Sequence, residues 1–164
     1  MKLIFALCVL ATFIPTMCLP ISHASGAKTV IVFGCFDLLH EGHKNFLVQA
    51  STYGNVIAVV TRDSMVKKLK NRIPVNSEEI RLQAVKNFPG VSLAILGDEE
   101  LGEYLILKEY SPDMICLGYD QKGLGEDLTM RMAAELVPEI PLIYLQPYLH
   151  EIYHTSIIRT QLKL

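Results

Sequence analysis

Five short apolar runs that alternate with longer, more polar segments constrain the fold of this chain more than any other feature. The runs occupy residues 29–33, 56–61, 91–96, 114–117 and 142–145. Their almost unbroken apolar character is typical of strands that are buried on both faces of a parallel sheet. Because each connection between parallel strands forms a right-handed crossover, the alternation predicts helices on both faces of that sheet.

The segments between these runs carry the signals of helices. Helices are predicted over about residues 42–53, 76–88, 99–110 and 126–137, with a short final helix from about residue 157. Gly54 fits the C′ position after the first helix, and Asn76 with Glu79 fits a capping box before the second. The inward stripe of the second helix is expected to comprise Ile80, Ala84, Val85 and Phe88. We therefore predict a Rossmann-like, three-layer α/β/α fold whose five-stranded parallel sheet has the order 3-2-1-4-5.

Composition limits the class of protein. The chain has 164 residues, of which 51% are hydrophobic and 20% are charged, as expected for one globular domain with its own core. The formal net charge of -2 argues against a nucleic-acid-binding protein, which is usually basic. The 4 cysteines include no C-x-x-C pair, so neither a disulfide framework nor a structural zinc site is expected.

Residues 1–27 differ from the rest of the chain, and we predict that the folded domain occupies residues 28–164. A basic start precedes an uncharged run over residues 3–19, and Ser22-His23-Ala24 fits a signal-peptide cleavage site. The run is also nearly long enough to span a bilayer, although Pro15 interrupts it. Three interpretations stay open: a secretory signal peptide, a membrane anchor, or an upstream extension from a misassigned start.

Residues 34–43, with the sequence GCFDLLHEGH, join the first predicted strand to the first predicted helix. The N–H groups at the start of a helix carry partial positive charge and bind phosphates. His40 and His43 fall near this first turn, and Gly42 between them is expected to leave room for a phosphate. The alternative is that the two histidines only cap and pack the helix. Together with Asp37 they lack the H-E-x-x-H spacing of zinc proteases, so no metal held by the protein is predicted.

Three further segments are expected to reach the same crevice. The fourth predicted strand ends in Gly118-Tyr119-Asp120, and the strand order 3-2-1-4-5 places its end beside the end of the first strand. Thr155 and Ser156 can cap the final helix. The basic run over residues 67–72 precedes Pro74, which breaks a helix, so this run is expected to end in a mobile loop.

These motifs resemble the signature of the cytidylyltransferase-like nucleotidyltransferases. The match rests on Gly34-Cys35-Phe36-Asp37 with the H-x-G-H of residues 40–43, on the closing Thr155-Ser156-x-Ile158, and on their order. The basic run, Glu79-Ile80-Arg81 and Gly118-Tyr119-Asp120-Gln121 look most similar to the archaeal-type FAD synthetases and their bacterial relatives. The resemblance covers residues 28–164. It implies a Rossmann-like fold and transfer of a nucleoside monophosphate with release of pyrophosphate.

The resemblance also implies a role for each motif. His40 and His43 would stabilise charge on the phosphates, and Lys70 and Arg72 would grip the triphosphate as the basic loop closes. Arg81 would bind the acceptor phosphate. The nucleotide-binding residues that it implies are Gly34, Cys35, Phe36, Asp37, Gly42, Asp120, Thr155 and Ser156. In the family, Phe36 would pack beside the nucleotide and Asp120 would contact the base or ribose.

Two positions depart from the family pattern, and a few polar residues are expected to lie outside the site. Cys35 stands where Thr or Ser is common, and because a thiol is a weak donor, one phosphate contact is expected to be lost. Glu41 adds negative charge near a triphosphate, so its side chain is expected to face outward. Residues 67–68 fit a solvated basic face, and His150 and His154 fit surface loops.

The leading hypothesis is that the chain transfers the adenylyl group of ATP to FMN, with Mg²⁺ on the triphosphate. The alternatives are a cytidylyltransferase for glycerol-3-phosphate or phosphoethanolamine, a nucleotide-binding module without turnover, and an exported protein with a repurposed fold. The expected partners are ATP or CTP and a small phosphorylated acceptor, with no nucleic acid, and a membrane only if the leader is retained. A homodimer stays open. A nucleoside triphosphate substrate predicts a cytoplasmic catalytic domain, with anchoring or export through residues 1–24 as the alternative.

Overall fold

The structure, a computed structural model, describes residues 26–149 and 151–163. Its strands are β1 (Thr29–Gly34), β2 (Asn55–Val60), β3 (Val91–Leu96), β4 (Met114–Leu117) and β5 (Leu142–Tyr144). All neighbouring strands pair in parallel, and the sheet has the order β3-β2-β1-β4-β5. The predicted fold class and strand order are therefore confirmed. The predicted leader falls almost entirely outside the described residues.

Six helices connect or follow the strands in the described part of the chain. They are α1 (Glu41–Ser51), α2 (Asp63–Lys70), α3 (Glu78–Lys86), α4 (Leu105–Tyr110), α5 (Lys122–Ala133) and α6 (Thr155–Leu162). The helix α4 is shorter than predicted, because residues 97–104 form a loop that ends at Tyr104 with φ 47°. The helix α5 begins four residues earlier than predicted, directly after Gln121. No helix of residues 26–149 and 151–163 is both long and apolar enough to cross a bilayer.

The sheet separates two apolar cores, which explains why its strands are apolar at most positions. Val30 and Val32 of β1 pack with residues of α1 and α3 on one face. Ile31 lies between them in sequence and packs on the opposite face, with residues of α4 and α5. Side chains alternate between the faces of a strand, so a central strand covered on both sides needs apolar residues at consecutive positions.

The basic segment before Pro74 forms the helix α2 as far as Lys70, and only residues 71–77 form the loop in which the segment was expected to end. Met65 and Val66 of this helix are buried, 4% and 2% exposed. The helix ends at its C-cap Asn71, which has the left-handed φ of 49°. Pro74 therefore lies beyond the helix, where it restricts only its own backbone and that of Ile73.

The helices α2 and α3 cap each other, in place of the predicted capping box. The N–H of Asp63 donates to Glu78 Oε2 at 2.7 Å, and the N–H of Glu78 donates to Asp63 Oδ2 at 3.3 Å. Each carboxylate thus satisfies an N–H at the start of the other helix, as a cap does. The N-cap of α3 is Ser77, not Asn76, and its side chain makes no capping bond.

The inward face of α3 differs from the predicted stripe. Arg81 and Val85 are buried, and Ile80 is 58% exposed. Gly54 is likewise not a left-handed C′ residue. It is needed because a Cβ there would collide with the carbonyl group of Lys28, which passes directly beside it.

Candidate active site

The beginning and the end of the described chain meet at the carboxyl edge of the sheet. His40 is the N-cap of α1, and its Nε2 atom lies 3.3 Å from Oγ1 of Thr155, the first residue of α6. The structure therefore brings the H-x-G-H motif together with the Thr155-Ser156 motif, 115 positions later. The N-termini of α1 and α6 therefore lie beside each other, and free N–H groups at a helix N-terminus are suited to phosphate oxygens.

The two histidines of the motif form a stacked pair. The ring centroids of His40 and His43 are 3.8 Å apart, with 21° between the ring planes. The His43 ring also makes an edge-to-face contact with the Phe36 ring, with the two ring centroids 5.5 Å apart. Among the described residues, neither Nδ1 atom has a hydrogen-bond partner, although both are buried. Buried polar atoms are usually paired, so these two Nδ1 atoms are exceptions.

Both imidazoles are neutral in the free protein at neutral pH. Burial, reinforced by the neighbouring His40 and by Lys70, lowers the pKa of His43 from 6.5 to about 3. Burial, reinforced by His154, lowers the pKa of His40 from 6.5 to about 4. Removing an imidazolium from water is unfavourable, and nearby positive charge adds to that cost.

These lowered pKa values predict that the protein loses stability as the pH falls from about 6.5 towards 3. In that range the unfolded chain binds protons at both histidines and the folded protein does not, so protonation favours unfolding. Above pH 6.5 both histidines are neutral in the folded and the unfolded chain, so no stability is lost through their protonation. Thermal unfolding followed by circular dichroism at several pH values checks this. His43→Gln should make the melting temperature less dependent on pH, and an unchanged slope would show that His43 does not titrate as described.

Neighbouring protein atoms require a glycine at position 42, whether or not it also leaves space for a phosphate as predicted. A Cβ at Gly42 would lie 2.7 Å from the carbonyl oxygen of Tyr153 and 3.1 Å from the His40 ring. The segment that precedes α6 thus packs directly on the first turn of α1. The absence of a side chain at Gly42 allows the two motifs to approach each other.

Phe36 and Asp37 are buried beneath the site, so neither lines a nucleotide as predicted. Phe36 is 1% exposed, and its ring folds back over Gly34, where a Cβ would lie 2.7 Å from ring atoms. Asp37 is also 1% exposed, and it accepts hydrogen bonds from the N–H groups of Val75 at 2.9 Å and Asn76 at 3.0 Å. Phe36 therefore supports His43, and Asp37 anchors the loop that precedes α3.

Arg81 is a buried connector, and the structure contradicts its predicted contact with an acceptor phosphate. Its side chain is 0% exposed. Its guanidinium donates to the carbonyl of Asn76 at 3.0 Å, to the carbonyl of Cys35 at 2.5 Å and to Asp63 Oδ1 at 2.6 Å. Arg81 thereby fixes the backbone of Cys35, and it holds the start of α2 through Asp63.

Lys70 reaches the site from the last turn of α2, on a helix and not on a mobile loop. Its side chain is exposed, and its positive charge helps to lower the pKa of His43. The same charge opposes the effect of burial on Cys35, whose pKa is raised chiefly by that burial. Arg72 follows the C-cap of the helix and is half-buried.

Gln121, to which no role had been assigned, joins the ends of the two central strands. Its Nε2 donates to the carbonyl of Phe33 at 2.8 Å, and its Oε1 accepts the N–H of Gly118 at 2.7 Å. The side chain thus fixes the crevice at the switch point between β1 and β4. Asp120, half-exposed, extends from the same loop, with its Oδ2 atom 3.7 Å from Nε2 of His154.

Two residues of the closing segment were also missed by the sequence reasoning. His154 is the N-cap of α6, since its Nδ1 accepts the N–H of Ser156 at 3.4 Å, whereas a surface loop position was expected. Arg159 of α6 has its Nη1 atom 3.6 Å from Asp37 Oδ2. Its position four residues after Thr155 places both on one face of the helix, and this spacing is the signal that would have identified it. His150 lies outside the described residues.

The surroundings of the site bear on metal and phosphate binding. Within residues 26–149 and 151–163, no cluster of three or more His, Cys, Asp or Glu side chains is arranged to hold a metal ion. A cavity of about 380 Å³ beyond the ends of β2 and β3 includes Glu78, Glu99 and Glu100 in its lining. Arg62 and Lys68 also line this cavity, but both pair with its glutamates, so the helix N-termini beside His40 are more favourable for a phosphate.

Comparisons with known proteins agree with this geometry. The sequence profile of the cytidylyltransferase-like family matches residues 31–161. The FAD synthase of Korarchaeum cryptofilum is 38% identical over 112 residues, which make up 63% of this chain and 75% of that protein. The FAD synthase of Methanosarcina mazei is 41% identical over 118 residues, covering 69% and 76% respectively. A crystal structure of a lipopolysaccharide core biosynthesis protein from Thermoplasma volcanium superposes with a TM-score of 0.68 and 31% identity, covering 75% of this chain and 99% of that one.

A parallel sheet with this switch point, a histidine stack at one helix N-terminus and a profile match over most of the chain define a nucleotidyltransferase. The chain belongs to the cytidylyltransferase-like family. Within that family it is similar to the archaeal FAD synthases. The predicted family, fold and enzyme class are thus confirmed.

Proposed function

We propose that this enzyme transfers the adenylyl group of ATP to FMN and releases pyrophosphate, so that its product is FAD. The observation that carries the proposal is the contact between the His40–His43 stack and Thr155, which brings two helix N-termini together. The choice of ATP and FMN is supported by the similarity to archaeal FAD synthases.

The proposed reaction needs positioning and charge stabilisation, and no covalent enzyme intermediate. A phosphate oxygen of FMN attacks the α-phosphorus of ATP in line, and the bond to the β-phosphate oxygen breaks as pyrophosphate leaves with the electron pair. Catalysis of this kind comes from orienting the reactants and from donors directed at the phosphoryl oxygens. In this chain, His40, His43 and the first N–H groups of α1 and α6 are the proposed donors.

A bound triphosphate would oppose the effect that the surrounding protein has on the pKa values of His40 and His43. In the free protein, burial and neighbouring positive charge keep both rings neutral. A ligand with several negative charges beside the rings favours their protonated forms, since opposite charge raises the pKa of a histidine. The protonated rings would then donate N–H groups to phosphate oxygens.

The remaining residues fall into ligand-contacting and supporting groups. We assign Lys70 and Arg72 to the β- and γ-phosphates, and Asp120 to the base or ribose. Thr155 and Ser156 would present hydroxyl and N–H donors to phosphate, and the backbone of Gly34 and Cys35 would line the nucleotide. The supporting group is Phe36, Asp37, Gly42, Arg81 and Gln121, which pack against or hydrogen-bond to neighbouring segments of the protein.

Magnesium is proposed to enter with the triphosphate. The described residues offer no three-ligand site of their own. Mg²⁺ is commonly held by one or two protein ligands together with substrate phosphates. The described residues are therefore compatible with a metal ion that is bound mainly by ATP. The ion would supply charge neutralisation on the β- and γ-phosphates. A substrate of this kind also favours a cytoplasmic location for the catalytic domain.

A matrix of substrates tests the assignment. The full chain is given Mg²⁺ with ATP or CTP, and with FMN, glycerol-3-phosphate or phosphoethanolamine, and pyrophosphate release is measured. We expect turnover with ATP and FMN. Turnover with CTP and a small alcohol phosphate would replace the proposal by the cytidylyltransferase alternative, and nucleotide binding without turnover in any pair would indicate a binding module.

A further inference from the structure

Three aliphatic side chains project into solvent beside the transfer site. Ile73 is 64% exposed, Val75 is 39% exposed and Ile80 is 58% exposed. Pro74 between the first two is buried, and the residue before a proline is held in an extended conformation. Ile73 and Val75 are exposed on either side of this buried proline in the chain, which bends at Val75 and Asn76. Ile73, Val75 and Ile80 are called the aliphatic surface below.

The aliphatic surface is attached to the catalytic loop by buried hydrogen bonds. The N–H groups of Val75 and Asn76 both donate to the carboxylate of Asp37, which is 1% exposed. Asp37 lies three residues before His40 in the same loop. The carbonyl of Asn76 is also held by Arg81, one residue after Ile80. These bonds fix both ends of the aliphatic surface relative to the histidine stack.

Positive charge lies close to this surface in the chain. Lys70 ends the helix α2 three residues before Ile73, and its charge reaches His43. A ligand that combines a large apolar ring with a phosphate would therefore find an apolar contact and a cationic contact within one short stretch of chain. Ligand sites commonly have this composition, with apolar walls and a few charged groups that fix the orientation.

We propose that the aliphatic surface is the binding site for the isoalloxazine ring of the FMN acceptor, with the ribityl phosphate directed towards Lys70 and the histidine stack. This inference rests on the proposed function and extends it to the acceptor subsite. A flat tricyclic ring covers exposed aliphatic side chains, whereas glycerol-3-phosphate and phosphoethanolamine have no apolar group that would do so. The aliphatic surface thus explains how one family member selects a flavin over a small alcohol phosphate.

The test compares full-length Ile73→Ser and Ile80→Ser variants with a matched control, Leu136→Ser. Leu136 is also exposed, at 56%, but it follows the carboxyl end of α5, at the edge of the sheet away from the site. We expect each of the first two substitutions to raise KM for FMN about tenfold, the lower end of the range for losing apolar contact with a substrate. KM for ATP should change little, and the control should match the wild type.

Several outcomes would overturn the proposal. Unchanged KM for FMN in both isoleucine variants would remove the aliphatic surface from the acceptor site. If those variants instead convert a dimer to a monomer on gel filtration, with KM for FMN unchanged, the surface is a contact between two copies. Weaker binding to anionic vesicles with unchanged KM for FMN would identify a membrane contact.

A binding measurement separates failure of this inference from failure of the proposed function. Riboflavin and FMN are titrated with protein in the absence of ATP, and flavin fluorescence is followed. If no FAD forms but FMN binds and Ile80→Ser weakens binding about tenfold, the aliphatic surface is supported although the reaction assignment fails. If FAD forms and both flavins bind the variants as tightly as the wild type, only the aliphatic surface is excluded. If neither flavin binds the wild-type protein, both are contradicted.

Discussion

His43→Ala is expected to lower kcat by about 10²–10³-fold, the loss seen when one donor to a developing charge is removed. His43 lies between Phe36 and His40, and its buried Nδ1 atom has no partner among the described residues. The substitution should change the affinity for triphosphate only modestly, because the helix N-termini and Lys70 remain. Steady-state pyrophosphate release at saturating substrates measures the effect.

Lys44→Ala is the matched control for this variant. Lys44 lies on the same turn of α1, but its ammonium is exposed and pairs with Glu41 at 2.6 Å. Exposed pairs of this kind contribute little, so the control should keep nearly the full rate. A rate for His43→Ala equal to that of the control would remove His43 from the chemistry and leave the stack a packing feature.

Arg81→Met is expected to lower the free energy of unfolding by about 3 kcal/mol and to reduce activity as well. Removing one partner of a buried, hydrogen-bonded ion pair typically has an effect of this size. Here the carbonyl of Cys35 and the carboxylate of Asp63 both lose a donor, although Asp63 is 35% exposed and can recruit water. Urea denaturation measures the change. Methionine keeps most of the apolar volume of arginine, so the result reports mainly on the lost bonds.

Lys86→Met is the control on the same helix, since Lys86 is exposed in the last turn of α3. It should leave the unfolding midpoint nearly unchanged. If Arg81→Met is as stable as this control and raises only KM for the acceptor, Arg81 contacts the acceptor phosphate after all. That result would contradict its role as a buried connector.

The fold was predictable because the apolar runs encode it directly. A strand covered on both faces must be apolar at consecutive positions. Val30 and Val32 pack in one core, and Ile31 between them packs in the other. The meeting of the H-x-G-H and Thr155-Ser156 motifs follows in turn from the strand order, because parallel strands end at one edge and the switch point opens a crevice.

The supporting contacts were not predictable, because a polar residue in a sequence does not show which way it faces. Asp37 and Arg81 looked like ligand-binding groups, yet both are buried and bonded to backbone atoms. Gln121 and His154 act through pairings between distant segments that periodicity does not report. Pro74 does not predict the extent of the helix α2, because this proline lies beyond the C-cap.

The most direct test of the central claim is product analysis after incubating the full chain with ATP, FMN and Mg²⁺. We predict that FAD and pyrophosphate appear in equal amounts, with no release of inorganic phosphate. Equal amounts would show transfer of an adenylyl group and not hydrolysis of ATP. ATP consumed without FAD, or FMN recovered unchanged while another acceptor is adenylylated or cytidylylated, would contradict the proposed reaction.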